Sequence, residues 1–207
     1  MKKNSVLLIG AGGHAEACID VIEYQKKYKI IGVLGLKKEQ GKLILNKYKI
    51  VGTDNDLPTL SKKFKNALIT IGQIKSADLR LKLFNTLKKL KFNLPVIQSP
   101  YSIVSRHSKI GEGTIIMHGA VVGPNVKVGK NCILNSNCLI EHGTTIGDNT
   151  HVATSVVING NVKIGSNNFI GSNTTIKQQV VIGSNSIIGM GQVVFKNCPS
   201  NSFLKKI

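Results

Sequence analysis

The chain has 207 residues, enough for one or two domains, and 42% of them are apolar while only 5% are aromatic and none is Trp, so its core must be mostly aliphatic. The 28 Lys and Arg exceed the 10 Asp and Glu by 18, which favours anionic ligands such as nucleotides and coenzyme phosphates and also serves plain solubility. No apolar run approaches the ~18 residues of a membrane-spanning helix, no secretory h-region follows Met1, and Cys18, Cys132, Cys138 and Cys198 form no C-x-x-C pair; these features speak against a membrane span, export and a zinc ribbon, and predict a cytoplasmic protein with reduced thiols.

Strand and helix signals alternate through the first hundred residues. Val6-Leu7-Leu8-Ile9 is a buried-strand pattern and runs into Gly10-Ala11-Gly12-Gly13-His14. Ala15, Cys18, Ile19 and Ile22 then recur at helical spacing, with Glu16, Asp20 and Glu23 on the other side. Glycines at such a turn let a phosphate approach the backbone, and the helix N-terminus favours an anion. Gly12, Gly13 and His14 are therefore candidate acceptor contacts. With Ala15 the turn reads G-x-G-x-x-A, yet Val33-Leu34-Gly35-Leu36-Lys37 stands where a dinucleotide fold keeps its ribose-binding carboxylate, which argues against NAD. Ile30 to Leu34 reads as a second strand, and Ala67 to Ile71 as another, ending at Gly72. Ser76 is the expected N-cap of a helix with Leu79, Leu83, Leu87 and Leu90 on one side. Pro95-Val96-Ile97 is the last short strand. This alternation predicts an α/β Rossmann-like domain over 1–100, a small parallel sheet with helices on its faces.

The remainder, 101–207, obeys a period of six. Val104, Ile110, Ile116, Val122, Val128, Leu134, Ile140, Ile146, Val152, Ile158, Ile164, Ile170, Ile176, Ile182, Ile188 and Val194 are sixteen consecutive anchors, all Val, Ile or Leu. At about 25% usage of such residues, chance gives this run a probability of roughly 10⁻¹⁰. Glycine often follows the anchor, as at Gly111, Gly129 and Gly147, and small or β-branched residues stand four places after it, as at Thr114, Cys132 and Thr144. This is the hexapeptide repeat of a parallel β-helix. Three hexapeptides close a triangular coil, with anchors pointing inward and glycine or a small polar residue supplying the positive φ of the corner. Anchors eighteen apart should stack, Val104 under Val122 under Ile140, in coils about 4.8 Å apart. Cys132 and Cys138 then fall on different faces and should not pair.

With both halves in view, the sequence resembles the bacterial sugar acyltransferases that join an N-terminal nucleotide-sugar-binding domain to a left-handed β-helix. The members it resembles are the sialic acid O-acetyltransferases and the UDP-4-amino-sugar N-acetyltransferases of surface-glycan synthesis. The resemblance spans nearly the whole chain. It is carried by Leu8 to His14, Ile71-Gly72-Gln73, Leu139-Ile140-Glu141-His142-Gly143, Asn159 to Gly165 and Ile188-Gly189-Met190-Gly191. It implies left-handedness, a homotrimer with the acetyl-CoA site between neighbouring prisms, and a sugar or nucleotide-sugar acceptor. It makes His142 the general base, with Glu141 beside it, taking a proton from the acceptor as that attacks the thioester. It places His151, nine residues on, near the thioester carbonyl as an oxyanion donor. It puts Gly160, Ser172 and Met190 along the coenzyme and Gly72 beside the acceptor. Three departures from the family stand out. Gly143 occupies a place where some members carry a carboxylate, Val33 to Lys37 stands where some carry an Asp-Asp pair, and the tail lacks Gly-x-Pro-Ala.

Other functions fit the residues less well. A β-helix zinc hydratase needs a histidine pair five apart, and His107, His118, His142 and His151 are separated by 11, 24 and 9, so no metal is expected. A nucleic-acid-binding module would want exposed aromatics for base stacking, and the chain has few. A non-catalytic β-helix binding module or scaffold would need neither the Glu141-His142 pair nor the glycine-rich turn.

Overall fold

A computed structural model describes residues 4–205. β1 (Asn4–Ile9) is wholly buried from Val6 to Ile9 and feeds through the glycine-rich turn into α1 (Gly13–Gln25). There follow β2 (Tyr28–Leu34), β3 (Leu43–Ile44), β4 (Tyr48–Gly52), the short α2 (Leu57–Ser61), β5 (Ala67–Ile69) and α3 (Asp78–Lys89). The sheet order is β3-β4-β2-β1-β5, parallel except for the β3–β4 pair. Strand order reverses at β1, so a crevice opens beyond the carboxyl ends of β1 and β5, the usual ligand position in an open α/β sheet.

Three expectations for this half change. The N-cap of α3 is Ala77 and not Ser76, whose Oγ accepts the Asp78 N–H at 3.0 Å from one residue farther out. The buried side, however, is Arg80, Leu83, Phe84 and Leu87, and Leu79 is left 52% exposed. Burial of the Arg80 head among backbone carbonyls turns the helix, a polar anchor that apolar periodicity cannot report. The strand expected at Pro95–Ile97 belongs to the second half: β6 (Ile97–Gln98) pairs with Ile115–Ile116 eighteen residues on, so the β-helix begins before residue 100.

Every anchor is the second residue of a two-residue strand, and from Ile116 onward the anchors are at most 6% exposed. Val104, Val122, Ile140, Ile158, Ile176 and Val194 are cross-strand partners in one column, as expected. The strands form three parallel faces of six, five and seven strands. At the corners the small polar residue of the expectation is the one that supplies most of the positive φ. The residue with positive φ is the third after the anchor, and it is most often asparagine: Asn125, Asn131, Asn137, Asn149, Asn161, Asn167, Asn173 and Asn185 lie at φ 54 to 62°. Asparagine tolerates this region because its short polar side chain bonds locally. The glycine after the anchor serves close stacking instead; a Cβ on Gly147 would sit 2.6 Å from the Gly165 carbonyl carbon. Four places after the anchor, Thr114, Thr144, Thr150 and Thr174 are buried and donate to carbonyls of the next coil at 2.9–3.2 Å.

The α/β domain sits on the seven-strand face. Ile97, Ile115, Met117 and Ile133 form one buried cluster with Val6, Leu8, Cys18 and Ile22. The four cysteines are buried and unpaired, and burial raises the Cys18, Cys132 and Cys138 thiols to about 12.

Candidate active site

The crevice at the end of β1 is a cavity of about 320 Å³, lined by Gly10, Gly12, Gly35, Asp54, Ile71 and Leu79 among others. Leu79, expected in the core, is thus a wall of this cavity. Space is open above Gly12 and Gly13, and the first turn of α1 has no side-chain cap, so its leading N–H groups are free to meet an anion. Loss of solvation at the cavity raises the Asp54 carboxyl above its ordinary value against the pull of Lys82. A wider hollow of about 520 Å³, lined by Asp20, Tyr24 and Tyr101, lies toward the other end of α1, away from the glycine-rich turn.

His14 and Gly72 meet where the two domains join, a Cβ on Gly72 falling 3.8 Å from that of His14. The His14 ring lies 6.5 Å from that of His151, which packs edge-on against Phe169 at 5.3 Å. His151 is only 7% exposed. Its Nδ1 is 2.6 Å from the Gln73 carbonyl oxygen. A carbonyl only accepts, so Nδ1 carries the proton and Nε2 of the neutral ring is an acceptor, facing the Asn135 amide nitrogen at 3.3 Å. Burial, and then the charge of Arg80, hold His151 down to about 4 against the favourable Gln73 bond. Burial, Arg80 and His151 lower His14 to about 3, and its Nε2 is buried without a protein partner. In the neutral ring Nε2 can accept a hydrogen bond, whereas the oxyanion donor expected from the sequence would need a proton there.

These two rings set a pH dependence of stability. Unfolded, each takes up a proton near 6.5; folded, only near 4 and 3. Between those limits the unfolded chain binds more protons, so stability falls as pH falls, by about 1.4 kcal/mol per pH unit for each histidine. Denaturant titrations from pH 7.5 to 5 should show this loss, halved in His14→Gln. A flat profile would mean the rings are not buried as described.

His142 stands elsewhere. It is exposed at the corner between the six-strand and five-strand faces, after Leu139–Ile140 and before Thr145–Ile146. Its ring lies against Gly160 one coil on, where a Cβ would come 2.6 Å from Cε1 and 2.8 Å from Nε2. Gly160 therefore makes room for the catalytic candidate itself. Gly143 has φ +69°, and a Cβ there would press on the Asn161 side chain, so the corner favours glycine at this place. Glu141 is half-buried beside it. Ser172 and Met190 are stacked one coil apart on a different corner, the Ser172 carbonyl accepting the Gly191 N–H at 2.8 Å, and Met190 is 72% exposed. One chain thus holds two separate groups: His142, Glu141 and Gly160 on one corner, and His151, His14, Gly72, Ser172 and Met190 on or beside the seven-strand face. Among the described residues no three His, Cys, Asp or Glu side chains gather to hold a metal, and no helix is long and apolar enough to cross a membrane.

Sequence reasoning missed Gln73, Arg80, Asn131 and Asn149, which link the domains. Two signals were available. Arg80 is one of only two arginines among 28 basic residues, and asparagine recurs every eighteen residues at 131, 149, 167 and 185.

Comparison with known proteins agrees with this architecture. Residues 5–87 match the PglD N-terminal domain, and 107–142, 143–178 and 161–194 match the bacterial transferase hexapeptide of six repeats. No curated protein matches the sequence. Among solved structures, a mutant of perosamine N-acetyltransferase from Caulobacter crescentus, in complex with CoA and GDP-perosamine, superposes with a TM-score of 0.90 at 25% identity, over 97% of this chain and 92% of that one. The acetyltransferase domain of PglB from Neisseria gonorrhoeae, in complex with acetyl coenzyme A, gives 0.89 at 25% identity, over 98% and 96%. WeeI from Acinetobacter baumannii shares the fold, with a TM-score of 0.54 at 17% identity over 97% and 96%.

Proposed function

This chain belongs to the bacterial sugar acyltransferases with hexapeptide repeats, and we propose that it transfers the acetyl group of acetyl-CoA to the amine of a nucleotide-linked amino sugar. The observation that carries this reading is the end-to-end likeness, in both domains at once, to an acetyltransferase held with CoA and GDP-perosamine. The cavity at Gly10 and Gly12 would take the nucleotide, its phosphates against the first turn of α1. His142 would take the proton as the amine attacks the thioester carbonyl. Dependence on acetyl-CoA would keep the reaction in the cytoplasm.

The separation of the two groups of residues favours a shared site. On the six-strand face the outward side chains are Ile103, Val121, Leu139, Val157, Thr175 and Val193, an apolar strip with its ends 69% and 58% exposed. On the five-strand face they are Lys109, Lys127, Thr145, Lys163 and Val181, a largely solvated set. A second and third copy packed on the apolar strip would give a closed homotrimer. The His142 corner of one copy would then meet the His14–His151 junction of the next, with acetyl-CoA in the groove between them along Gly160 on one side and Ser172 and Met190 on the other.

The acceptor is tested by thiol release from acetyl-CoA against GDP- and UDP-linked 4-amino sugars, free sialic acids and CMP-activated sialic acids. The amino sugars should be acetylated and the sialic acids left unchanged. Turnover confined to the sialic acids would instead assign O-acetylation, the reading that Gly143 in place of a carboxylate favours.

A further inference from the structure

The junction between the domains holds a closed ring of buried polar groups. From α3, Arg80 Nη1 donates to the Ile71 carbonyl at 2.6 Å and the Ile69 carbonyl at 3.2 Å, gripping the end of β5. Its Nη2 donates to Asn131 Oδ1 at 2.7 Å and to the Asn131 carbonyl at 3.1 Å. Asn131 Nδ2 donates to Asn149 Oδ1 at 2.9 Å, one coil on. Gln73 Nε2 returns across the junction to the Asn149 carbonyl at 2.8 Å and the Asn168 carbonyl at 3.0 Å. Gln73 lies two residues beyond Ile71, so the ring closes. Arg80, Gln73, Asn131 and Asn149 are 1%, 3%, 1% and 7% exposed. No carboxylate pairs with Arg80 among the described residues; carbonyl and amide oxygens alone solvate its charge. Burying a cation this way is costly unless each contact is kept, so the arrangement resists any shift of one domain on the other.

What the ring holds still is the Gln73 carbonyl, and that oxygen binds the His151 Nδ1 proton at 2.6 Å. We propose that Gln73 and Arg80 are positioning residues, which fix His151 in the Nδ1–H tautomer with Nε2 as a hydrogen-bond acceptor at the junction. The proposal rests on the reading that His151 belongs to the acetyl-transfer site. It gives that histidine a definite role, in which Nε2 receives an N–H or O–H donor, from the acceptor sugar or from an amide of the pantetheine arm, and does not donate to the thioester oxygen. The groups that face the ring are Gln73 and Arg80 from the α/β domain, His14 from the start of α1, and Asn135 and Phe169 from the neighbouring coils. None of these is an acid; only the Gln73 carbonyl favours the imidazolium, and burial and the positive Arg80 disfavour it.

The test uses the intact protein labelled with ¹⁵N-histidine. The chain has 5 histidines, and His151→Ala identifies the signals of interest. Wild-type His151 should show a protonated Nδ1 and a bare Nε2 from pH 8 down to pH 5. Gln73→Met keeps the length of the side chain and removes its two bonds; Arg80→Met removes the clamp on Ile71. Both should shift His151 toward a mixture of tautomers, and Arg80→Met, which removes the facing positive charge, should also move its titration up. Turnover should fall roughly 10- to 10²-fold, the scale of a misplaced catalytic group, with the KM for acetyl-CoA changed less than threefold. Arg80→Lys, which keeps a donor for the β5 carbonyls, should recover part of the loss. Circular dichroism and thermal unfolding separate these effects from unfolding, and Gln73→Met is the milder variant should Arg80→Met be unstable. If His151→Ala is inactive while Gln73→Met and Arg80→Met keep the wild-type tautomer and turnover, the positioning role is overturned and the site reading stands. If His151→Ala is fully active, the site reading fails and the proposal falls with it.

Discussion

Replacing His142 with Ala is expected to lower turnover by roughly 10²–10⁴-fold, the range of a general acid–base group, while the Kd for acetyl-CoA stays within a few-fold. The ring is exposed at a prism corner and lies over Gly160, so its removal leaves no cavity and should leave stability unchanged. His118 supplies the control. It also follows an anchor by two residues, but its ring is held between Ser99 Oγ at 2.6 Å and Asp20 Oδ2 at 2.8 Å, near Tyr24 and Tyr101. His118→Ala should keep near-native turnover. Full activity in His142→Ala, with loss in His118→Ala, would mean that the chemistry had been assigned to the wrong corner.

The second large effect comes from a residue with no functional group. Gly160→Val should cost about 10²-fold in turnover, because a side chain there occupies the space of the His142 ring, and a displacement of about 1 Å can carry that penalty. A Cβ would lie 2.6 Å from Cε1, and the atoms it meets belong to a side chain that can swing into solvent. The fold should therefore tolerate the change. Steady-state kinetics and a thermal melt on the same preparation check both halves. A variant that melts early but keeps full turnover per folded molecule would contradict this account.

The β-helix was legible because its core allows a single solution. An aliphatic side chain every six residues can only point inward when the coil closes in eighteen, and all sixteen anchors do so. The glycine-rich turn was legible for a similar reason, since a strand, two open glycines and a helix start leave room for an anion. The less legible parts depend on polar contacts between distant residues. Nothing in the local pattern near Leu79 and Arg80 says that the arginine goes inside and the leucine lines a cavity, because the carbonyls that solvate Arg80 belong to Ile69, Ile71 and Asn131. The surroundings of His151 were hidden on the same account: its Nδ1 meets the carbonyl of Gln73, 78 residues earlier. Asparagine at the corners was visible as a column but was not assigned, because glycine is the more familiar residue at positive φ.

Complementation between inactive variants tests the shared site most directly. His142→Ala keeps the junction with His14 and His151; His151→Ala keeps the His142 corner. Each alone should be nearly inactive in acetyl transfer from acetyl-CoA to a nucleotide-linked amino sugar. Co-expressed in equal amounts, the two should assemble into mixed trimers in which about a quarter of the sites pair an intact corner with an intact junction, and turnover should recover to about that fraction of wild type. Mixed trimers no more active than the parents would contradict the account, and would place both histidines of each site within a single chain.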